Sequence, residues 1–112
     1  MTKESSVHRK RLEEIAMDPT SILGFEGPVS KVIIEEEMYN SKNQQIGEID
    51  LLVRTSRGDY YVVEYKATDK SKVRRKAREQ LERAADYVYE NYGVRPLKLF
   101  YVHDDLVVEE IF

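Results

Sequence analysis

Gly47-Glu48-Ile49-Asp50-Leu51-Leu52-Val53-Arg54-Thr55-Ser56-Arg57-Gly58-Asp59-Tyr60-Tyr61-Val62-Val63-Glu64-Tyr65-Lys66 is the stretch that decides how this chain reads. It predicts two β-strands, near Gln45 to Thr55 and Asp59 to Ala67. The joining turn falls at Ser56–Asp59, where Gly and Asp suit the backbone angles of a tight hairpin. The charges are the unusual part. Asp50 interrupts Ile49-Leu51-Leu52-Val53, a run that otherwise asks for burial. Glu64 and Lys66 flank Tyr65 directly after Tyr60-Tyr61-Val62-Val63. Side chains alternate along a strand, so Glu64 and Lys66 point the same way, about 7 Å apart. A hairpin can bring Asp50 beside them. Two carboxylates and an ammonium on one sheet face are costly unless they hold a cation or one another.

Working outward, Ser5 to Met17 predicts a helix with Val7, Leu12, Ile15 and Ala16 as an apolar stripe and Pro19 as its stop. Thr20 to Pro28 reads as a connector. Val29 to Tyr39 reads as a strand, rich in β-branched residues at Val32, Ile33 and Ile34, and Asn40-Ser41-Lys42-Asn43 is turn chemistry. Beyond the hairpin, a long helix is expected from Asp69, its N-cap, to about Tyr92, with Gly93 as its stop. At 100° per residue Val73, Ala77, Gln80, Ala84, Tyr87 and Val88 share one face, which sets a polar amide among small apolar neighbours. Two strands, Leu97 to His103 and Leu106 to Phe112, close the chain around a turn at Asp104-Asp105. The order α-β-β-β-α-β-β implies an α/β (α+β) domain, a mixed central sheet flanked by helices.

The 112 residues suit one domain, able to bury roughly two-thirds of its unfolded surface. A charged fraction of 35% with 41% hydrophobic residues describes a globular chain with a heavily charged exterior. No apolar run is long enough for a membrane span, and the first residues lack the apolar core of a signal peptide. Without cysteine there is neither a disulfide framework nor thiolate chemistry, so an intracellular, cytoplasmic address is the expectation. The net charge of -3 argues against coating nucleic acid through bulk electrostatics, yet it conceals a local excess. Lys70, Lys72, Arg74, Arg75, Lys76 and Arg78 crowd one short segment, a candidate phosphate-binding face or an ordinary solvated one.

Asp50 and Glu64 are hard oxygen ligands, suited to Mg²⁺ or Mn²⁺ and poorly to Zn²⁺. His8 and His103 are far apart, show no zinc spacing and read as surface histidines. A hard cation beside Lys66 makes chemical sense for phosphodiester hydrolysis, because the ammonium can orient a water and offset charge growing in the transition state.

Asp50, then Glu64-Tyr65-Lys66 after thirteen intervening residues, then a helix carrying Gln80, resembles the PD-(D/E)XK nuclease superfamily. Gly47-Glu48-Ile49-Asp50-Leu51-Leu52 with Val63-Glu64-Tyr65-Lys66 is most similar to archaeal-type members, the Holliday junction resolvases and the mismatch- and branch-cleaving endonuclease domains. The resemblance covers nearly the whole chain, 1–112, as a minimal nuclease domain of restriction-endonuclease-like fold. The proline of the family name is missing, since Ile49 precedes Asp50. The resemblance implies a divalent-metal-dependent DNA endonuclease using Mg²⁺ or Mn²⁺. Asp50 and Glu64 would be metal ligands, Lys66 the water-orienting group, Gln80 a support, and Glu14 (or Glu13) an accessory ligand from the first helix. Lys70, Lys72, Arg74, Arg75 and Arg78 would grip DNA. Two strands to cut and one site per chain suggest a homodimer, joined through the C-terminal strand or the tyrosine-bearing end of the long helix. The rival reading is an inactive module of the same fold that binds nucleic acid or protein.

Overall fold

The computed structural model describes residues 3–111, with side chains from residue 7. Helix α1 spans Lys3–Met17, α2 Pro19–Leu23 and α3 Ser71–Tyr92. The strands are β1 (Val29–Tyr39), β2 (Gln45–Thr55), β3 (Tyr60–Lys66), β4 (Lys98–His103) and β5 (Val107–Glu110). They form one mixed sheet in the order β1-β2-β3-β4-β5. Among the described residues the only parallel pair is β3 with β4, and α3 makes the crossover between them. The expected mixed sheet flanked by helices is therefore present. Phe112, expected at the end of the last strand, lies outside the described residues.

Each sheet face has its own apolar layer. Leu12 and Ile15 of α1 and Leu23 of α2 pack on Leu51, Val53, Tyr61, Val63, Tyr65, Phe100 and Val102. On the other face Ala77, Leu81, Ala84 and Val88 of α3 meet Met38, Ile49, Leu52, Val62, Leu99 and Tyr101. The spacing of four, three and four along α3 keeps one stripe on the sheet. Leu81 belongs to that stripe, although the sequence reading passed over it.

Three local expectations are corrected. Pro19 does not simply end the first helix; it occupies the first turn of α2, where its missing N–H costs nothing. Asp69 is not the N-cap of α3, because its carboxylate is bound to Arg74; Lys70 holds the cap position without a side-chain cap bond. The final strands are also shorter than expected, and β5 has only four residues. Gly93 does end α3, in the left-handed conformation, with its N–H on the Tyr89 carbonyl at 2.9 Å.

The hairpin forms as its turn chemistry demands. Gly58 takes φ +90, and Thr55 and Asp59 close the loop at 2.9 Å between N and O. Further along β2 the alternation of faces breaks. Ile49 and Leu52 lie in the α3 layer, Leu51 and Val53 in the α1 layer, and Asp50 meets α1. A matching break lies opposite, where Glu35 adopts φ +58 between the pairs Ile34↔Leu51 and Glu36↔Ile49. Left-handed backbone costs a non-glycine residue about 1–2 kcal/mol. Glu35 is held there with its carboxylate 3.3 Å from Arg9 of α1. The paired irregularity turns Asp50 out of the ladder, as bulges do beside functional sites.

Candidate functional site

Asp50 sits where β2 and β3 part, one residue past the Leu51↔Val63 pair. Its Oδ2 accepts the Tyr65 backbone N–H at 2.9 Å, in place of a main-chain acceptor on β2. Asp50 is 8% exposed and Glu64 only 3%. Glu64 follows Val62 on the α3 side of the sheet, and Lys66 projects from the same side. Lys66 Nζ lies 3.4 Å from Glu64 Oε2. Burial pushes the Glu64 carboxyl well above its ordinary range; the nearby Asp50 adds to this, and Lys66 only partly offsets it. Lys66 therefore pairs with Glu64, and Asp50 lies close enough to raise the Glu64 pKa further.

The end of β3 is pinned from the β4–β5 turn. The Asp104 N–H donates to the Lys66 carbonyl at 3.3 Å, and the Tyr65 hydroxyl donates to the Asp104 carbonyl at 3.1 Å. The site therefore lies at the carboxyl end of the parallel pair, where open α/β sheets place their ligands.

Gln80 lies on the sheet-facing side of α3 between Ala77 and Ala84. Its Oε1 is buried without a hydrogen-bond partner among the described residues. A buried amide oxygen left unpaired costs about 1–3 kcal/mol. The two buried carboxyls, one of them driven toward protonation, are oxygen donors of the kind that suits a hard divalent cation.

Helix α1 contributes a residue that sequence reading dismissed. His8 Nε2 lies 3.1 Å from Asp50 Oδ2, and its ring sits 5.7 Å from that of Tyr65. The hydrogen bond to Asp50 raises its pKa above the ordinary histidine value, against the pull of burial. Glu14 is not brought there. It is exposed and pairs with Arg11 at 3.4 Å, and Glu13 pairs likewise with Arg9. Six residues carry Glu14 about 120° round the helix from His8. A signal for His8 was available: it stands four residues before Leu12 and seven before Ile15, on the buried stripe.

The basic segment divides. Lys70, Lys72, Arg75 and Arg78 are exposed, and none makes an ion pair among the described residues. Arg74 is engaged inside the fold. Its guanidinium donates to Asp69 at 3.0 and 2.8 Å and to Glu109 at 2.9 and 2.6 Å. Of the residues expected to grip DNA, Arg74 is thus the one whose guanidinium is already held by two carboxylates. His103 joins the same network, with Nε2 2.7 Å from Glu109 and Nδ1 2.6 Å from Asp104. Burial opposes charge on His103, yet the bonds to Asp104 and Glu109 outweigh it and raise its pKa. Arg74 lowers the pKa values of Asp69 and Glu109. Burial and the bond to Asp69 push the Tyr101 hydroxyl up to about 12. Asp69, His103 and Glu109 place ligand atoms within 4.8 Å of one another, but Arg74 already supplies the positive charge between them.

No helix among the described residues is long and apolar enough to cross a membrane. No family model matches the chain, and no curated protein matches it. Among solved structures, it is similar to the structure of an EndoMS–dsDNA2 complex, at 21% identity and a TM-score of 0.48 over 81% of this chain and 32% of that one. It is also similar to a repair endonuclease from Pyrococcus abyssi, at 22% identity and a TM-score of 0.52 over 92% of this chain and 38% of that one. The chain spans about a third of the length of these structures. What it shares with the Pyrococcus abyssi protein is the fold, a mixed sheet flanked by helices.

Proposed function

We propose that this chain is a Mg²⁺- or Mn²⁺-dependent DNA endonuclease domain of the PD-(D/E)XK type. The observation that carries the reading is the convergence of buried Asp50 and Glu64 with Lys66 at the carboxyl end of β3. The shared fold with a repair endonuclease supports it. Asp50 and Glu64 would hold the cation, with the Gln80 amide behind them. When bound, the cation supplies charge that polarises the phosphoryl group and acidifies the attacking water. Lys66 donates from Nζ to that water or to a phosphoryl oxygen, offsetting negative charge in the transition state. Glu64 holds the ammonium in place, and the Tyr65 N–H orients Asp50. Glu14, on the outer side of α1, has no part in this set.

Lys70, Lys72, Arg75 and Arg78 would hold the DNA backbone. The first turn of α3 carries no acid, and cations there oppose the helix dipole by about 0.3–1 kcal/mol each. A bound phosphate reverses that cost, since helix N-termini favour anions. Two chains would act as a pair, one site for each strand. Exposed Tyr89, Tyr92, Val94 and Leu97, around the end of α3, offer apolar surface for the contact.

Duplex, single-stranded and branched DNA, each incubated with Mg²⁺, Mn²⁺ or EDTA, tests the activity. Cleavage that needs the cation and disappears in Lys66→Ala is expected. Binding without cleavage under every condition would leave the inactive-module reading. Light scattering over a hundredfold concentration range tests the pairing, and a constant monomer mass would reject it.

A further inference from the structure

We propose that His103 is a positioning residue of the candidate site: it clamps the β4–β5 turn, and the turn holds the end of β3, where Lys66 and the Tyr65 N–H act. This inference rests on the reading of Asp50, Glu64 and Lys66 as a catalytic set. The turn covers residues 104–106. Asp104, at φ +52, and Leu106, at φ +58, both take left-handed backbone there. Aspartate tolerates that region, but leucine enters it only where the surrounding structure imposes it. The turn therefore needs ties.

His103 supplies the tie that crosses the turn. It is 6% exposed. Nδ1 lies 2.6 Å from the Asp104 carboxylate in the turn, and Nε2 lies 2.7 Å from Glu109 on β5. Both ring nitrogens end on carboxylate oxygens, so the ring donates to both when it carries two protons. Charge-assisted bonds of this length are among the strong ones. Asp69, 3.7 Å from Nε2, adds a third carboxylate. Arg74 of α3 holds Asp69 and Glu109 in place, and Lys66 stands opposite His103 on β3.

The hold passes to β3 through the main chain. The Asp104 N–H donates to the Lys66 carbonyl, and the Tyr65 hydroxyl donates to the Asp104 carbonyl. Lys66↔His103 is the last rung of the parallel pair, so the turn is what keeps the strand end from fraying. That end does two things for the site. The Tyr65 N–H fixes Asp50 Oδ2, and Lys66 Nζ stands beside Glu64. A shift of about 1 Å in such groups can cost about 100-fold in rate.

His103→Gln keeps one amide donor and is the first test. Asp104→Asn, at a half-exposed side chain, covers the case in which His103→Gln fails to fold. Both are compared with wild type near about pH 6, where the raised His103 holds both protons. In EDTA, amide hydrogen exchange read by NMR should quicken at Tyr65 at least about tenfold more than at buried Val62 in the middle of β3, the scale of one lost charge-assisted bond. With Mg²⁺ and duplex DNA, kcat should fall about 10–100-fold while KM changes much less, because His103 is buried away from the substrate. Unchanged exchange at Tyr65 in a folded variant, or equal quickening at Tyr65 and Val62, overturns the inference. So does a variant that keeps the wild-type kcat. A wild type that cleaves no DNA overturns the nuclease reading instead, and the exchange comparison still decides the clamp.

Discussion

Lys66→Met removes the ammonium 3.4 Å from Glu64 and keeps an unbranched apolar stem. At an effective dielectric constant of about 20, unit charges at that separation attract by roughly 5 kcal/mol. The full amount is not lost, because Lys66 is partly exposed and Glu64 has an escape: it can take up a proton instead of staying a lone buried anion. The cost then depends on pH. Glu64 already titrates above its ordinary value in the fold, so the unfolded chain releases that proton first. Stability from this group therefore falls as pH rises from the unfolded value of about 4.3 toward the folded value, by at most about 1.4 kcal/mol per pH unit. Without Lys66 the folded value moves higher and the fall continues further. In EDTA we expect variant and wild type to differ little near about pH 5, and the variant to be weaker by about 1–2 kcal/mol at neutral pH. That is a Tm lower by roughly 4–8 °C for a chain of this size. Thermal melts across that range measure it. A deficit that stays constant, or that shrinks as pH rises, would refute the account of Glu64 as a proton-holding neighbour of Lys66.

Leu81→Ala, at a fully buried position of α3, should cost about 2–5 kcal/mol in urea unfolding. A loss under 1 kcal/mol (on the order of a surface change) would mean α3 is not the anchor of its layer. Arg75→Ala and Arg78→Ala should each flatten the slope of log DNA affinity against log salt by about 0.9, whereas Arg74→Ala should lower Tm and leave the slope alone. The reverse pattern would place Arg74, not its neighbours, on the DNA. His103→Gln should weaken the network around Arg74 in a defined pH window. The raised His103 stabilises below its unfolded value near about 6.5 and loses that as pH climbs through the folded one; the lowered Asp69 and Glu109 contribute above about 4–4.5. The Tm gap between wild type and variant should be widest near about pH 5.5 and narrow by about pH 8.5, and a gap that widens instead rejects the charged-histidine reading.

The hairpin and its charges were legible because a strand writes its two faces into alternate residues, and Ser56–Asp59 spelled the turn. Val29–Tyr39 was legible in full for its β-branched centre. The rest depended on partners distant in the chain. His8 meets Asp50 across 42 residues, and Arg74 meets Glu109 across 35, so neither pairing leaves a local pattern. Asp69 looked like a cap because it precedes the helix; a guanidinium five residues on was the stronger partner. Glu14 looked eligible because helix 1 was read by residue type, when the angle around the axis decides which residue reaches the sheet. Leu81 was omitted although Ala77 and Ala84 bracket it at helical spacing.

The twin break in β1 and β2 carries a constraint on how this chain can change over generations. Glu35 and Asp50 leave the regular alternation at facing positions, so the two strands switch sides in step and their neighbours stay matched. Ile49 and Leu51 face opposite layers although two apart, and Ile34 and Met38 do so although four apart, because Asp50 and Glu35 each take up one extra position. Removing either residue would restore the plain two-residue alternation and leave its neighbours in their own layers. Packing therefore tolerates a gap at either place, and descendants of this sequence should show gaps at position 35 but not at position 50, where the gap would take the aspartate with it.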